Sequence, residues 1–561
     1  MFGVSNRTPM NDFRWSRALA ALALITAACS SRDAAGRGTL VITMAADAKV
    51  LIPNLVAESQ NRAVNEVLFD KLADPGLHPK TASDAGYLPR LAKSWDWAAD
   101  SSAITFHLDS TARWHDGKPV TASDVRFAYQ VYTDPKTASS VGGDLVKDVD
   151  SVTVTDPHTA KVWFKQKSLE RFYNVVVTLI PLPEHLLGAV PRDSLRLHPF
   201  GKAPIGSGAF RFVKWVPAQR IELAAVDSFY RGRAKLDRVV WSITADMAGS
   251  VQKLFAGEAD FLEAVPASDV PEVAKHSDVR IQPLPGFNYN FVGWNFHDGA
   301  SARPHPLFSD LGLRRALGTA LDRRSMVRTV LDSLGDVALG PFARAQWSAD
   351  TTIPQSVFDT LATARALDSL GWKRGADGIR ARNGRPLAFS LLVPSSSKNR
   401  VRFSVLIEAQ WRAAGAKVTV ETVDGATFNE RLKAGAFDAY MGGVTVTPSP
   451  SGIRQTWGVA SYAQHSGLDA GGWSNPAFEA ELDRALGASD EATARAGLAA
   501  AYRRLVDDAP AIFLYEARGA AGVNTRVVTG PMRADAWWAT LDQWSIAPGR
   551  SLPRDVVAPT P

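Results

Sequence analysis

Val251–Val265 reads VQKLFAGEADFLEAV, and Asn429–Val444 reads NERLKAGAFDAYMGGV. Each pairs an amphipathic helix with a glycine, Gly257 or Gly435, that can take the left-handed conformation ending a helix. A strand follows within three residues and carries an aspartate near its start, Asp260 or Asp438. The second copy sits in an alternating context: helix Asn399–Ala414, strand Lys417–Val423, helix Thr427–Ala434, strand Phe437–Met441. That alternation predicts a βαβ unit with parallel strands, hence an α/β fold. Two such units far apart in one chain predict two lobes with related cores. The length agrees, because a single core rarely grows past about 250–300 residues and this chain has 561.

Outward from these units, Thr39–Met44 (TLVITM) is a β-rich run, and Ala57–Leu72 carries Val64, Val67, Leu68 and Leu72 at helical spacing. Ile104–Leu108 and Ala112–Trp114 flank Asp109-Ser110-Thr111, and His115-Asp116-Gly117-Lys118 supplies a tight turn. Thr121 or Ser123 then caps a helix through Val125, Phe127, Ala128 and Val131 that stops before Pro135. Valines from Val149 to Val162 predict a hairpin around Asp156-Pro157, so this stretch reads as α+β on short antiparallel strands. Ser309 is expected to cap one long helix whose Leu313, Leu317, Leu321, Val327 and Leu331 form the buried face. Arg314, Arg315, Arg323 and Arg324 of that helix are expected to be solvated.

Composition is that of an ordinary globular protein, 46% hydrophobic and 21% charged. The first 28 residues hold Arg7, Arg14 and Arg17 against Asp12, so about +4 of the net +6 lies beyond them. Spread over so long a chain, that excess makes no nucleic-acid patch. Sixteen tryptophans suggest broad flat apolar surfaces. Arg14 and Arg17 lead into the apolar run Ala18–Ala28, which is too short to span a membrane and fits a signal-peptide core. Cys29 follows it as the only cysteine, which excludes disulfides within the chain and multi-cysteine metal sites. Thr26-Ala27-Ala28-Cys29 resembles a lipobox, with Thr26 where leucine is usual, so lipidation at Cys29 is expected; cleavage after Ala28 leaving a free thiol is the alternative. Ser30–Gly38 reads as a tether.

Nothing in the sequence makes a positive case for catalysis. There is no phosphate-binding GxxxxGK[ST], no GxSxG and no HExxH, and Gly206-Ser207-Gly208 meets Arg211 where GxGxxG needs its third glycine. The ten histidines are scattered, so no metal and no cofactor are expected. Asp507-Asp508 at a helix end reads as a solvated pair.

Three segments together resemble the family 5 extracellular solute-binding proteins, the oligopeptide- and dipeptide-binding components of ABC importers. Leu88–Tyr132 (LPRLAKSWDWAADSSAITFHLDSTARWHDGKPVTASDVRFAY) is similar to the family signature of strand, WHDG turn and T-x-x-D-V helix. Pro204–Val240 is similar to its P-x-G-[ST]-G-x-[YF] and Y-x-G-x-x-x-L-D stretches, and Phe308–Val330 to the helix that ends in A-[IL]-D-R. The likeness runs from about Thr39 to Trp544. It implies a two-lobed periplasmic-binding-protein fold of type II with an extra α+β subdomain. The expected division is signal peptide 1–28, tether 29–38, lobe one 39–285 with the subdomain at about 75–200, lobe two 286–517, and a return to lobe one over 518–561. Crossings between lobes are expected at Gly286–Phe296 and near Phe513–Arg518.

The resemblance further implies a monomeric, non-enzymatic receptor in the bacterial cell envelope, anchored by lipid only. It would capture a peptide or peptide-like solute between its lobes and deliver it to the permease subunits. A receptor for an oligosaccharide, metal chelate or opine, and more remotely a secreted hydrolase, are the alternatives. On the first crossing, Tyr289, Trp294 or Asn295 is expected to reach the cleft. Peptide receptors of this family resemble one another in an aspartate, in the loop after the F-D-A strand, that pairs with the ligand's α-ammonium. The loop here, Gly442–Ala460 (GGVTVTPSPSGIRQTWGVA), contains no acidic residue. Recognition is therefore expected to fall to the backbone around Gly443, to Thr445, Thr447 and Ser449 as hydroxyl donors, to Arg454 as a carboxylate fork and to Trp457 as a stacking face.

Overall fold

A computed structural model describes residues 37–267, 269–273, 275–299, 301, 303–459 and 470–556. The signal peptide, Cys29, most of the tether and Ala460 lie outside the described residues. Among those described, no helix is long and apolar enough to cross a membrane.

The first echoed unit builds the lobe-one sheet. Strand β1 (Thr39–Met44) pairs in parallel with Arg238–Ile243 on one side and, at Ile42 opposite Phe261, with the short β2 (Phe261–Leu262) on the other. Helix α1 (Met247–Phe255) precedes β2; Asp246 caps it by accepting the Gly249 N–H, and Gly257 takes φ +68° to turn the chain into the sheet. Strand β3 (Val279–Leu284) is the last of this lobe before the chain leaves it. The second unit builds the other sheet from β4 (Asn288–Trp294), β5 (Ala388–Pro394) and β6 (Ala439–Thr445), with helix α2 (Gly425–Lys433) and Gly435 at φ +62° leading into β6. Strand β7 (Ala511–Ala517) completes its middle, and β8 (Gly519–Asn524) returns to lobe one.

The seven-stranded sheet runs β3, β8, β2, β1, Arg238–Ile243, Arg220–Ala225, Phe210–Val216; the six-stranded sheet runs Gly335–Val337, β7, β4, β6, β5, Lys417–Val423. Strand β5 lies between β6 and Lys417–Val423 and is parallel to both, so the chain from Lys417 through α2 to β6 crosses over it. A four-stranded antiparallel sheet of Ala92–Trp97, Ala103–Leu108, Thr159–Phe164 and Val149–Asp156 packs with helix Ala122–Thr133 and shares one continuous apolar core with the lobe-one sheet. Thr121 and Asp124 form a capping box on that helix, and Gly117 at φ +86° makes the WHDG turn.

Several expectations change. The helix expected over Ala57–Leu72 spans only Ser59–Leu68, because Lys71 and Leu72 offer their carbonyls to Leu91 and Ala92. Ala112–Trp114 contributes only an isolated bridge, Arg113 to Pro119. The long helix after Ser309 is two helices, Leu311–Thr319 and Arg323–Leu331, capped by Asp310 and Asp322. Arg314 and Arg323 are buried. Arg314 donates to the carbonyls of Phe308, Asp508 and Ala509, and Arg323 to those of Phe513 and Ser356. Each guanidinium thus pays its burial by satisfying loop and helix-end carbonyls. Among the described residues, seven tryptophans, from Trp114 to Trp544, are fully buried, so much of the tryptophan excess packs cores rather than lining a surface.

Candidate functional site

Two chain segments join the sheets. The first passes from β3 to β4 through Pro285-Gly286-Phe287, the second from β7 to β8 at Arg518. Because β4 is antiparallel to β7 and β3 to β8, the two crossings run side by side. Gly286 allows that approach, since a Cβ there would lie 2.0 Å from the Ala517 carbonyl oxygen. Asn288 binds the same residue twice, donating to Ala517 O at 2.8 Å and accepting its N–H at 3.0 Å.

Against these crossings lies a cavity of about 520 Å³, within the range of small-molecule sites. Leu77, His78 and Pro79 form part of its lobe-one wall, and Arg344 and Ala345 part of its lobe-two wall. Pro285 and Phe287 of the first crossing, Glu516 and Arg518 of the second, and Met532 and Arg533 of the C-terminal return close the rest. The arginines of the wall each face a carboxylate, in the wall or just behind it. Arg518 makes two bonds to Asp336, at 2.8 and 2.9 Å. Glu516 accepts the Arg344 N–H at 2.8 Å, with the Arg344 guanidinium 3.5 Å from its other oxygen. Burial pushes the Glu516 carboxyl up to about 7, against the opposing pull of Arg344. Arg533 faces Asp535 at 2.7 Å and Asp74 at 3.2 Å. Among the described residues, no group of three histidine, cysteine, aspartate or glutamate side chains is placed to hold a metal ion.

The residues singled out from sequence fall into two sets. Tyr289 and Trp457 do meet, the indole N–H donating to the phenol oxygen at 2.9 Å, but both are buried among Phe291 and Phe513 inside lobe two. Trp294 is buried as well, stacked on Phe308 and beside Trp411. Asn295 spends its amide on the carbonyls of Gly435 and Phe437, holding the turn into β6. The cleft role expected of Trp294 and Asn295 is thus replaced by a core role. Arg454 is not a free fork either, since Glu479 and Asp483 both bind its guanidinium.

The other set lies along β6 and its loop. Gly443 stands opposite Asn290, and a Cβ there would strike the Arg400 guanidinium. Thr445, exposed, stands opposite Asn288 at the end of β6. Gln346 donates to the carbonyls of Thr447 and Ser449, and Ser449 donates across the lobes to Glu170. The cavity residues His78 and Arg344 escape sequence reasoning, whereas Glu516 and Arg518 fall within the crossing expected near Phe513–Arg518. One signal was available: Glu516 is the only charge in the strand AIFLYEA.

Comparison with known proteins agrees with this architecture. The family description "Bacterial extracellular solute-binding proteins, family 5 Middle" matches residues 86–463. The chain is 29% identical over 420 residues to the oligopeptide-binding protein AppA of Bacillus subtilis, covering 74% of this chain and 75% of AppA. The solved structure of AppA with a nonapeptide superposes with a TM-score of 0.66 at 25% identity, covering 91% of this chain and 99% of AppA. The ABC transporter substrate-binding protein CtaP of Listeria monocytogenes shares the fold, with a TM-score of 0.76 at 21% identity over 91% of this chain and 99% of CtaP. Two sheets joined by paired crossings, a cavity against those crossings and a match over most of the chain lead to one conclusion: the chain belongs to the bacterial extracellular solute-binding proteins, family 5.

Proposed function

We propose that this protein is the substrate-binding component of a peptide-type ABC importer, holding a peptide-like solute in the cavity between its lobes and handing it to the permease. The observation that carries the reading is the 520 Å³ cavity walled by both lobes and both crossings, where lobe movement opens and closes access. The naming of AppA as an oligopeptide-binding protein, and its structure with a nonapeptide, support the peptide class.

Recognition rests on backbone and shape more than on terminal charges. The loop after β6 has no acid to meet an ammonium, Arg454 is already paired, and the arginines of the cavity wall each face a carboxylate. Gly443 and Thr445 on β6 are the backbone positions that would pair with an extended ligand. The protein works as a monomer in the cell envelope, held at the membrane by lipid on Cys29; Cys29→Ser releases it to the soluble fraction.

Native mass spectrometry of the protein purified without unfolding tests the main reading, followed by calorimetry with the recovered peptides and their N-acetylated forms. Peptide adducts, with affinity little changed by acetylation, are expected. An adduct of sugar, haem or metal chelate, or peptides returned shortened, would replace the reading with another.

A further inference from the structure

Next in sequence to two segments of the cavity wall, the lobes make a direct contact. Leu77–Pro79 of the cavity wall continue through Lys80 to Thr81, and Arg344–Ala345 continue through Gln346 to Trp347. There the two walls meet: the Trp347 indole N–H donates to the Thr81 hydroxyl oxygen at 2.6 Å. Thr81 in turn donates to one carboxylate oxygen of Glu170 at 2.5 Å. The other oxygen of Glu170 accepts from the Ser449 hydroxyl at 2.6 Å, and Ser451 lies 2.7 Å from Ser449. Thr81 and Glu170 belong to the lobe-one side; Trp347, Ser449 and Ser451 belong to lobe two. Gln346 stiffens the lobe-two half by binding the carbonyls of Thr447 and Ser449, and Arg495 lies over the Trp347 ring. At the rim, Lys80 and Glu491 add an ion pair between lobes at 3.8 Å.

We propose that Glu170 is the latch of the solute site, a positioning residue whose single carboxylate fastens the loop after β6 to the lobe-one subdomain and thereby sets how readily the cavity opens.

The chemistry suits a reversible fastening. A hydrogen bond to a charged group contributes more than one between neutral groups, so one carboxylate serving two hydroxyls is an effective tie. The donors are uncharged, however, and burial raises the Glu170 carboxyl against their pull. When the lobes part, Glu170 is resolvated and no cation is left behind in an apolar wall, which keeps the opening cost modest. An ion pair buried at the same place would hold more stubbornly. The paired crossings and the Glu170 tie thus join the lobes at two separate places.

The inference rests on the reading that solute is held between the lobes, but its test needs no solute. Small-angle scattering is recorded on the ligand-free full chain for wild type, Glu170→Ala, Ser449→Ala with Ser451→Ala, and all three substitutions together. Glu170→Gln and Trp347→Phe complete the set. Wild type is expected to give the smallest radius of gyration of the set, because the tie keeps the largest share of its molecules closed. Glu170→Ala and the serine pair each shift it to larger values, and the combined variant shifts no further, because all remove the same tie. Glu170→Gln, which keeps an acceptor oxygen and the side-chain volume, recovers most of the closure, and Trp347→Phe opens the molecule partly. Variants as compact as wild type, or shifts that simply add, would overturn the proposal. Failure to bind any peptide would overturn the functional reading while leaving these scattering results to decide the latch.

Discussion

The two helix–glycine–strand units can be compared atom by atom. In lobe one, Asp260 accepts the Val41 N–H of β1 at 2.8 Å; in lobe two, Asp438 accepts the Ser390 N–H of β5 at 2.8 Å. Each aspartate therefore pins the start of its strand to the parallel neighbour, and the local sequence is enough to build that pin. The compensation of the charge differs. Asp260 is 0% exposed and is held by Arg526 at 2.7 Å and Arg554 at 2.7 Å, both from the C-terminal return. Asp438 is 38% exposed and receives the His305 Nε2–H at 3.1 Å. His305 carries its proton on Nε2 because Nδ1 accepts the N–H groups of Leu307 and Phe308. Lobe one thus closes its unit with permanent charges that also moor the chain end, while lobe two closes its unit with the His305 ring, the Ser390 hydroxyl and solvent. The unit is local; what stabilises it is supplied by distant chain.

Breaking the lobe-one pin should have the largest effect. Asp260→Asn leaves Arg554 beside a neutral amide and Arg526 with Asp555 alone, and should lower stability by about 3 kcal/mol in urea unfolding. Next comes the strand that joins the units, where Glu516 provides a pH signature. Its carboxyl is raised in the folded protein, so its contribution is fully present below the ordinary carboxylate range and is lost as pH rises through about 7. Unfolding free energy should therefore fall between about pH 4.5 and 7, by up to about 3 kcal/mol, and Glu516→Gln should flatten that fall. Asp438→Asn should cost only about 1 kcal/mol, since water and the remaining carbonyl oxygen replace part of what is lost. A loss equal to that of Asp260→Asn would erase the contrast between lobes. Smallest is Arg454→Ala: its ion pairs are partly solvated, so stability should change by about 0.5 kcal/mol or less, with solute affinity unaltered.

Much of the fold was legible because its decisive features are local. Gly257 and Gly435 end helices, Thr121 with Asp124 caps one, and Gly117 turns the WHDG segment, each for reasons contained within a few residues. Side chains that act over long distances were not legible. Periodicity placed Arg314 on a solvated face, yet it reaches carbonyls at the end of the helix Glu491–Asp508, nearly two hundred positions away. Aromatic content suggested a ligand surface, yet Trp294 and Trp457 complete lobe-two packing. The candidate site was least legible of all. Its wall brings together His78, Phe287, Arg344, Glu516 and Arg533 from five separate segments; the crossings expected at Gly286–Phe296 and Phe513–Arg518 reached Phe287 and Glu516, and no motif marked His78, Arg344 or Arg533.

The central claim is that solute occupies the cavity between the lobes, and filling that cavity tests it most directly. Ala345 lines it from lobe two and is only partly buried, so Ala345→Trp adds bulk to the cavity without displacing core. Calorimetry with a nonapeptide that binds wild type should show no heat of binding for this variant, while its melting temperature stays at the wild-type value. Wild-type affinity in Ala345→Trp would place the solute elsewhere and contradict the account.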